Sequence, residues 1–162
     1  MIHLKLNKCI FNYRVVAILT NKNRVLLHTP DYFGHYAVPG GRCNELETSE
    51  DAIRRELKEE LNINNAIVKM EWIVENFFKI EDKKYHEISF YFSVLLSSNS
   101  KLYAEKNVFG HEGKDKIEFI SINIDKLGEI DLKPSFIKKE INNLGNGIKH
   151  IIFKDKEGQN YI

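Results

Sequence analysis

Between Glu45 and Glu60 the chain holds seven of its 23 acidic residues: Glu45, Glu47, Glu50, Asp51, Glu56, Glu59 and Glu60. Carboxylates at that density either face water or share a cation. On a helix advancing about 100° per residue, Ile53, Leu57 and Leu61 form an apolar stripe, and Glu56, Glu59 and Glu60 gather on one flank of it. Arg54, Arg55 and Lys58 fall on a largely separate arc, which places them badly for neutralising those three carboxylates. Glu60 projects closest to the buried stripe, where an unpaired charge is costliest. A hard divalent cation such as Mg2+ or Mn2+ takes oxygen ligands and relieves the repulsion. An isolated E-x-x-E-E string is more often a solvated acidic face, so the surroundings must decide.

Those surroundings predict a helix over about residues 49–61. Thr48 is placed to cap it, Glu50 and Asp51 suit the positive end of the helix dipole, and Asn62 stands where a left-handed terminal residue belongs. Upstream, Arg14 to Leu19 and Arg24 to His28 are strand-like runs around the polar spacer Thr20-Asn21-Lys22-Asn23, a predicted hairpin. A short extended piece, His35 to Val38, ends in Pro39-Gly40-Gly41, where paired glycines permit close approach of a ligand. Downstream, Ile67 to Ile80 and Tyr85 to Leu96 read as strands, Ser97 to about Lys116 as a long polar loop, and Ile117 to Ile122 as a strand. A short helical turn is expected at Asp125 to Leu127. A second helix is expected from Pro134 to Gly145, and a last strand from Ile148 to Phe153. With no repeat or linker, the reading is one α/β domain over 1–162, a mixed sheet with helices on it.

Composition bounds the rest. The 162 residues carry 24 Lys+Arg against 23 Asp+Glu, a net charge of +1 that provides no overall basic field for long nucleic acid. Residues 45–60 carry seven acids and three bases, leaving 21 bases and 16 acids elsewhere, so an anionic segment sits in a mildly cationic chain. Two cysteines, Cys9 and Cys43, make no disulfide framework or zinc pattern, and a reduced cytoplasm is the default location. No apolar run is long enough for a membrane span.

One pattern decides between water and cation. Gly41-x5-Glu47-x7-Arg55-Glu56-Leu57-x-Glu59-Glu60-x-Asn62-Ile63 resembles the Nudix box, G-x5-E-x7-R-E-U-x-E-E-x-G-U with U aliphatic, and departs from it only at Asn62. The resemblance extends over about residues 12–150 through the glycine turn before the box and the strands after it. It implies the Nudix α/β/α sandwich and hydrolysis of a diphosphate bond in a nucleoside diphosphate linked to another moiety, with Mg2+ or Mn2+ as cofactor. Carried over residue by residue, Glu56, Glu59 and Glu60 are the metal-binding and catalytic glutamates, with the Gly40 carbonyl a further ligand. Gly41, Glu47 and Arg55 are structural support. The general base is Glu56 within the box, or Glu105 or Glu112 outside it. A nucleotide-sensing or partner-binding domain without turnover is the alternative.

For the rest of the substrate, a small nucleotide derivative, aromatic platforms are expected from Tyr32, Phe33, Tyr36, Phe77, Phe78, Tyr85 and His86. Arg42, next to Gly41, is the favoured phosphate contact, ahead of Arg14. His28, His111 and His150 show no metal-ligand spacing. Family members are often dimers, which makes a homodimer a partner to test.

Overall fold

The computed structural model describes residues 1–29, 34–96, 102, 107–112 and 115–155. Tyr32, Phe33 and Glu105 lie outside those residues, and of Glu112 only the backbone is described. Among the described residues the strands are β1 (His3–Lys5), β2 (Ile10–Asn21), β3 (Arg24–His28), β4 (Gly40–Arg42), β5 (Ile67–Ile80), β6 (Lys83–Leu95), β7 (Asn107–Glu112), β8 (Asp115–Asn123) and β9 (Lys149–Lys154). The α-helices are α1 (Ser49–Leu61) and α2 (Ile137–Glu140), with 3-10 turns at Ile124–Glu129 and Ile141–Asn143. None is long and apolar enough to cross a membrane.

β2 is the hub. Its β-branched and apolar residues suit a strand buried on both faces, and it runs parallel to β6 from Ile10↔Tyr85 to Leu19↔Val94. It also pairs antiparallel with β3 at Thr20↔Val25 and with the glycine strand β4 at Arg14↔Arg42 to Val16↔Gly40. The strand order is β7-β8-β3-β2-β6-β5-β9, with β1 and β4 also on β2. The β2/β6 and β5/β9 pairs are parallel and the others antiparallel, so the sheet is mixed as predicted.

Alternation along the strands divides the core between two faces. Val15, Ala17 and Leu19 of β2, with Phe92 and Val94, lie under Ala52, Ile53 and Leu57 of α1. Val16 and Ile18, with Trp72, Val74 and Tyr91, lie under Leu127, Leu132, Ile137 and Ile141. Helical material thus covers both faces of the sheet. A β-bulge between Met70 and Trp72 changes the parity of β5: Val68 and Met70 pack on the α1 side, whereas Trp72 and Val74 pack on the other. The bulge also buries Glu71, whose carboxylate accepts from Ser93 Oγ and Gly145 N, both at 2.7 Å.

Two expectations are corrected, and one strand was not foreseen. The segment expected to be a polar loop contains β7, which pairs with β8 from Asn107↔Ile120 to Glu112↔Asp115 and packs on α1; its polar letters hid the strand because its support is tertiary. Gly110 allows that packing, since a Cβ there would overlap the Glu60 carbonyl oxygen. The second helix is shorter than its apolar spacing implied, four α-helical residues followed by a 3-10 turn. β1, hidden among interrupted apolar residues, pairs with β2 from His3↔Asn12 to Lys5↔Ile10.

The helix α1 begins and ends where its caps dictate. Thr48 Oγ1 accepts from Asp51 N at 3.1 Å. Asn62 is left-handed at φ 55°, ψ 34°, and its N–H reaches the carbonyls of Leu57 and Lys58. A β-branched side chain is disfavoured in that conformation. Asn62→Val should therefore cost about 1–2 kcal/mol, whereas Asn62→Gly should be neutral or slightly stabilising, as chemical denaturation of the two variants will show.

Candidate active site

The site forms where the glycine strand β4 meets α1. A Cβ at Gly40 would overlap the Val15 carbonyl oxygen, and one at Gly41 would overlap the Glu56 carboxylate. The two glycines therefore let the turn lie against the sheet on one side and receive a carboxylate on the other. Gly40 N donates to Glu60 Oε2 at 3.3 Å. Glu56 and Glu60, 7% and 4% exposed, thus converge on this turn from successive turns of the helix.

Arg55 organises the carboxylates around it. Its Nε donates to Glu47 Oε1 at 2.7 Å and its Nη2 to Glu47 Oε2 at 2.9 Å, a two-point clamp. Nη2 also donates to the Arg42 carbonyl at 3.0 Å, while Nη1 donates to Glu56 Oε1 at 2.8 Å and Glu59 Oε2 at 3.2 Å. The expectation that the bases on this helix are badly placed for the three carboxylates is corrected for Glu56 and Glu59. Helical wheel angle locates Cβ only, and a long guanidinium curls back along the helix once Glu47 fixes its far end. These bonds hold the Glu47 carboxyl below its usual range, chiefly through the Arg55 hydrogen bond, whereas burial pushes Glu56 above it despite Arg55.

Glu60 lies away from that clamp and faces His28 of β3, whose Nε2 is 3.9 Å from Glu60 Oε2. Burial first, and Arg14 second, push the His28 imidazole down to about 4. It is neutral at neutral pH, so it adds a polar contact to Glu60 and no charge. Its ring leans on Phe119 at 4.4 Å. No spacing signal marks His28 in the sequence; only the pairing of β3 with β8 brings it here.

Glu60, Gly40 and His28 open onto a cleft of about 780 Å³ that also exposes Tyr36, Arg14, Asn76, Phe78 and Glu87. Lys79, Lys116 and Lys133 also line it, as do the acids Glu118 and Asp155. Of the aromatic residues expected at the substrate, Tyr36 and Phe78 line this cleft, whereas Phe77, Tyr85 and His86 do not. The β5 bulge sets the parity that sends Phe78 to the cleft and Phe77 to the opposite face, where it stacks on His86 at 4.5 Å. Arg42 contributes its carbonyl to the Arg55 clamp and is absent from the cleft lining; Arg14 lines the cleft instead and donates to the Gly40 carbonyl at 3.3 Å.

The donors present match a hard cation in kind: carboxylates of Glu56, Glu59 and Glu60, and a backbone carbonyl at Gly40. Three glutamates, Glu47, Glu56 and Glu59, meet one arginine in the clamp, and Glu60 stands beside it on Gly40 N, which leaves net negative charge beside the glycine turn. As placed, no three His, Cys, Asp or Glu side chains among the described residues converge for one ion. Arg55 accounts for this by drawing Glu56 and the half-exposed Glu59 to itself.

The family model for the NUDIX domain matches residues 11–133. The chain belongs to the Nudix hydrolase family, a family of enzymes acting on phosphoric anhydride bonds. Its fold is similar to that of the MutT protein from Bacillus halodurans, at TM-score 0.60 and 19% identity over 80% of this chain and 81% of that one. It is also similar to the MutT protein from Methanosarcina mazei, at TM-score 0.55 and 20% identity over 86% and 95% of the two chains. An ADP-ribose pyrophosphatase from Streptococcus suis shares the fold at TM-score 0.52 and 12% identity, over 88% of this chain and 98% of that one. Comparison with curated protein sequences gives no match.

Removing the guanidinium should leave Glu47 and Glu56 as uncompensated buried charges. Arg55→Met is expected to lower stability by about 3 kcal/mol, measured by urea unfolding at neutral pH.

Proposed function

We propose that this protein is a divalent-metal-dependent pyrophosphohydrolase that cleaves a diphosphate bond in a nucleoside diphosphate linked to another moiety. The observation that carries the reading is the convergence of two buried carboxylates, Glu56 and Glu60, on the Gly40-Gly41 turn beside a cleft large enough for a nucleotide. A merely solvated acidic helix would hold both outward. In this reading Glu56, Glu59, Glu60 and the Gly40 carbonyl hold Mg2+ or Mn2+. The ion supplies charge neutralisation to the phosphates and polarises the group under attack.

The chain's own residues do the rest. Glu47 and Arg55 lock the helix to the glycine strand and so set the carboxylate positions. The Gly40 N–H and neutral His28 orient Glu60. Lys79 and Lys116 offer the anionic diphosphate cationic side chains at the cleft wall. Water attacks one phosphorus, the bridging P–O bond breaks, and the proton passes to a carboxylate, for which Glu56 is the candidate within the box. Tyr36 remains a candidate contact for the nucleoside side of the substrate.

Two variants test this. With nucleoside diphosphate derivatives and Mg2+ or Mn2+, Glu60→Gln should lose monophosphate release by at least about 100-fold while its thermal midpoint stays close to the parent's; an active Glu60→Gln protein would remove Glu60 from the metal site. Gly41→Ala should push the Glu56 carboxylate aside with little loss of fold, since the overlapped atoms end a flexible side chain. A displacement of that kind costs about 100-fold in rate, and kcat/KM on the same substrates measures it.

A further inference from the structure

One face of the sheet changes character along its length. Under the second helix it is dry: Val16, Ile18, Val74 and Tyr91 are buried among apolar side chains. Toward the cleft, the same face presents Asn12, Arg14, Asn76, Glu87 and Ser89. The register places Asn12, Glu87 and Asn76 side by side across β2, β6 and β5, with Arg14 opposite Ser89 one step along.

Part of this cluster holds itself. Glu87, 5% exposed, accepts from Ser89 Oγ at 3.0 Å and Asn12 Nδ2 at 3.3 Å, and lies 3.9 Å from Arg14 Nη1. Arg14 Nη2 is spent on the Gly40 carbonyl. Two atoms of the cluster have no hydrogen-bond partner among the described residues: the buried Nε of Arg14, a donor, and the buried Oδ1 of Asn76, an acceptor. Asn76 is only 6% exposed, yet it lines the cleft. Leaving such atoms unmade is costly, and apolar residues would fill the same face at less cost if packing were all that was needed.

We propose that Asn76 and Arg14, held by Glu87, form a subsite that reads the nucleobase of the substrate by hydrogen bonds to its edge. The inference rests on the nucleotide reading above and names which residues select the nucleotide. Three observations favour a base over a further phosphate. Arg14 is already balanced by Glu87, so the cluster presents little net charge. It offers one donor and one acceptor, whereas a phosphate oxyanion only accepts. Phe78, which lines the cleft beside Asn76 and lies parallel to Tyr85 at 4.9 Å and 3°, provides a flat apolar wall against which a ring can stack. The base edge fills both unmet positions, which is why a base lacking the matching groups is rejected.

Product binding tests this without turnover. Titration calorimetry with AMP, GMP, CMP, UMP and ribose 5-phosphate should show at least one nucleotide bound roughly ten-fold more tightly than ribose 5-phosphate. Asn76→Ala should erase that advantage and leave ribose 5-phosphate affinity unchanged. Asn76→Asp, nearly isosteric and so a safer fold, should change which nucleotide binds best. Equal binding of ribose 5-phosphate and all four nucleotides by the parent protein overturns the proposal, as does a base preference that survives both substitutions. Loss of hydrolysis with base preference intact would instead overturn the catalytic reading alone.

Discussion

The structure turns on one guanidinium. Arg55 ties the loop residue Glu47, the strand carbonyl of Arg42 and two helix carboxylates into one unit, so loop, strand and helix cannot move independently. A cluster of glutamates on a helix would otherwise repel itself apart or turn to water. With one cation fixed among them, the acidic face has a defined shape and still carries excess negative charge. That rigidity sets where Glu47, Glu56 and Glu59 stand beside the glycine turn.

The glycine strand is the complementary constraint. Its residues lack side chains so that backbone can approach backbone at Val15 and carboxylate can approach backbone at Gly41. The site is therefore built on the edge of β2, the strand that also organises the sheet. Burial of Glu56 and Glu60 follows from that closeness, and with it the upward pressure on the Glu56 carboxyl. The candidate site and the core share the same strand, one using its edge and the other its two faces.

On the opposite side of the cleft the sheet departs from the rule that a covered face is apolar. Asn12, Asn76, Glu87 and Ser89 are all buried there beside Arg14. The β5 bulge produces this arrangement. By shifting the alternation at Met70 it sends Trp72 and Val74 into one core and delivers Asn76 and Phe78 to the cleft wall. A strand of the same composition without the bulge would bury those residues' neighbours instead and present Phe77.

By itself the sequence determined the local features. Thr48, the first-turn acids and Asn62 place α1 at Ser49–Leu61, and the spacing from Gly41 to Ile63 identifies the Nudix family, because caps and i, i+4 geometry depend only on near neighbours. Strand pattern likewise located β3 and β5. The tertiary structure alone decided where long side chains end and which face each strand presents. It folded Arg55 back among the glutamates, drew His28 to Glu60, turned a polar stretch into β7, kept Phe78 but not Phe77 in the cleft, put Arg14 there rather than Arg42, and gathered Asn76 with Glu87. Apart from the Arg55 bonds, which are local, those outcomes depend on register between strands far apart in the chain, and a one-residue shift in register reverses every side chain on a strand.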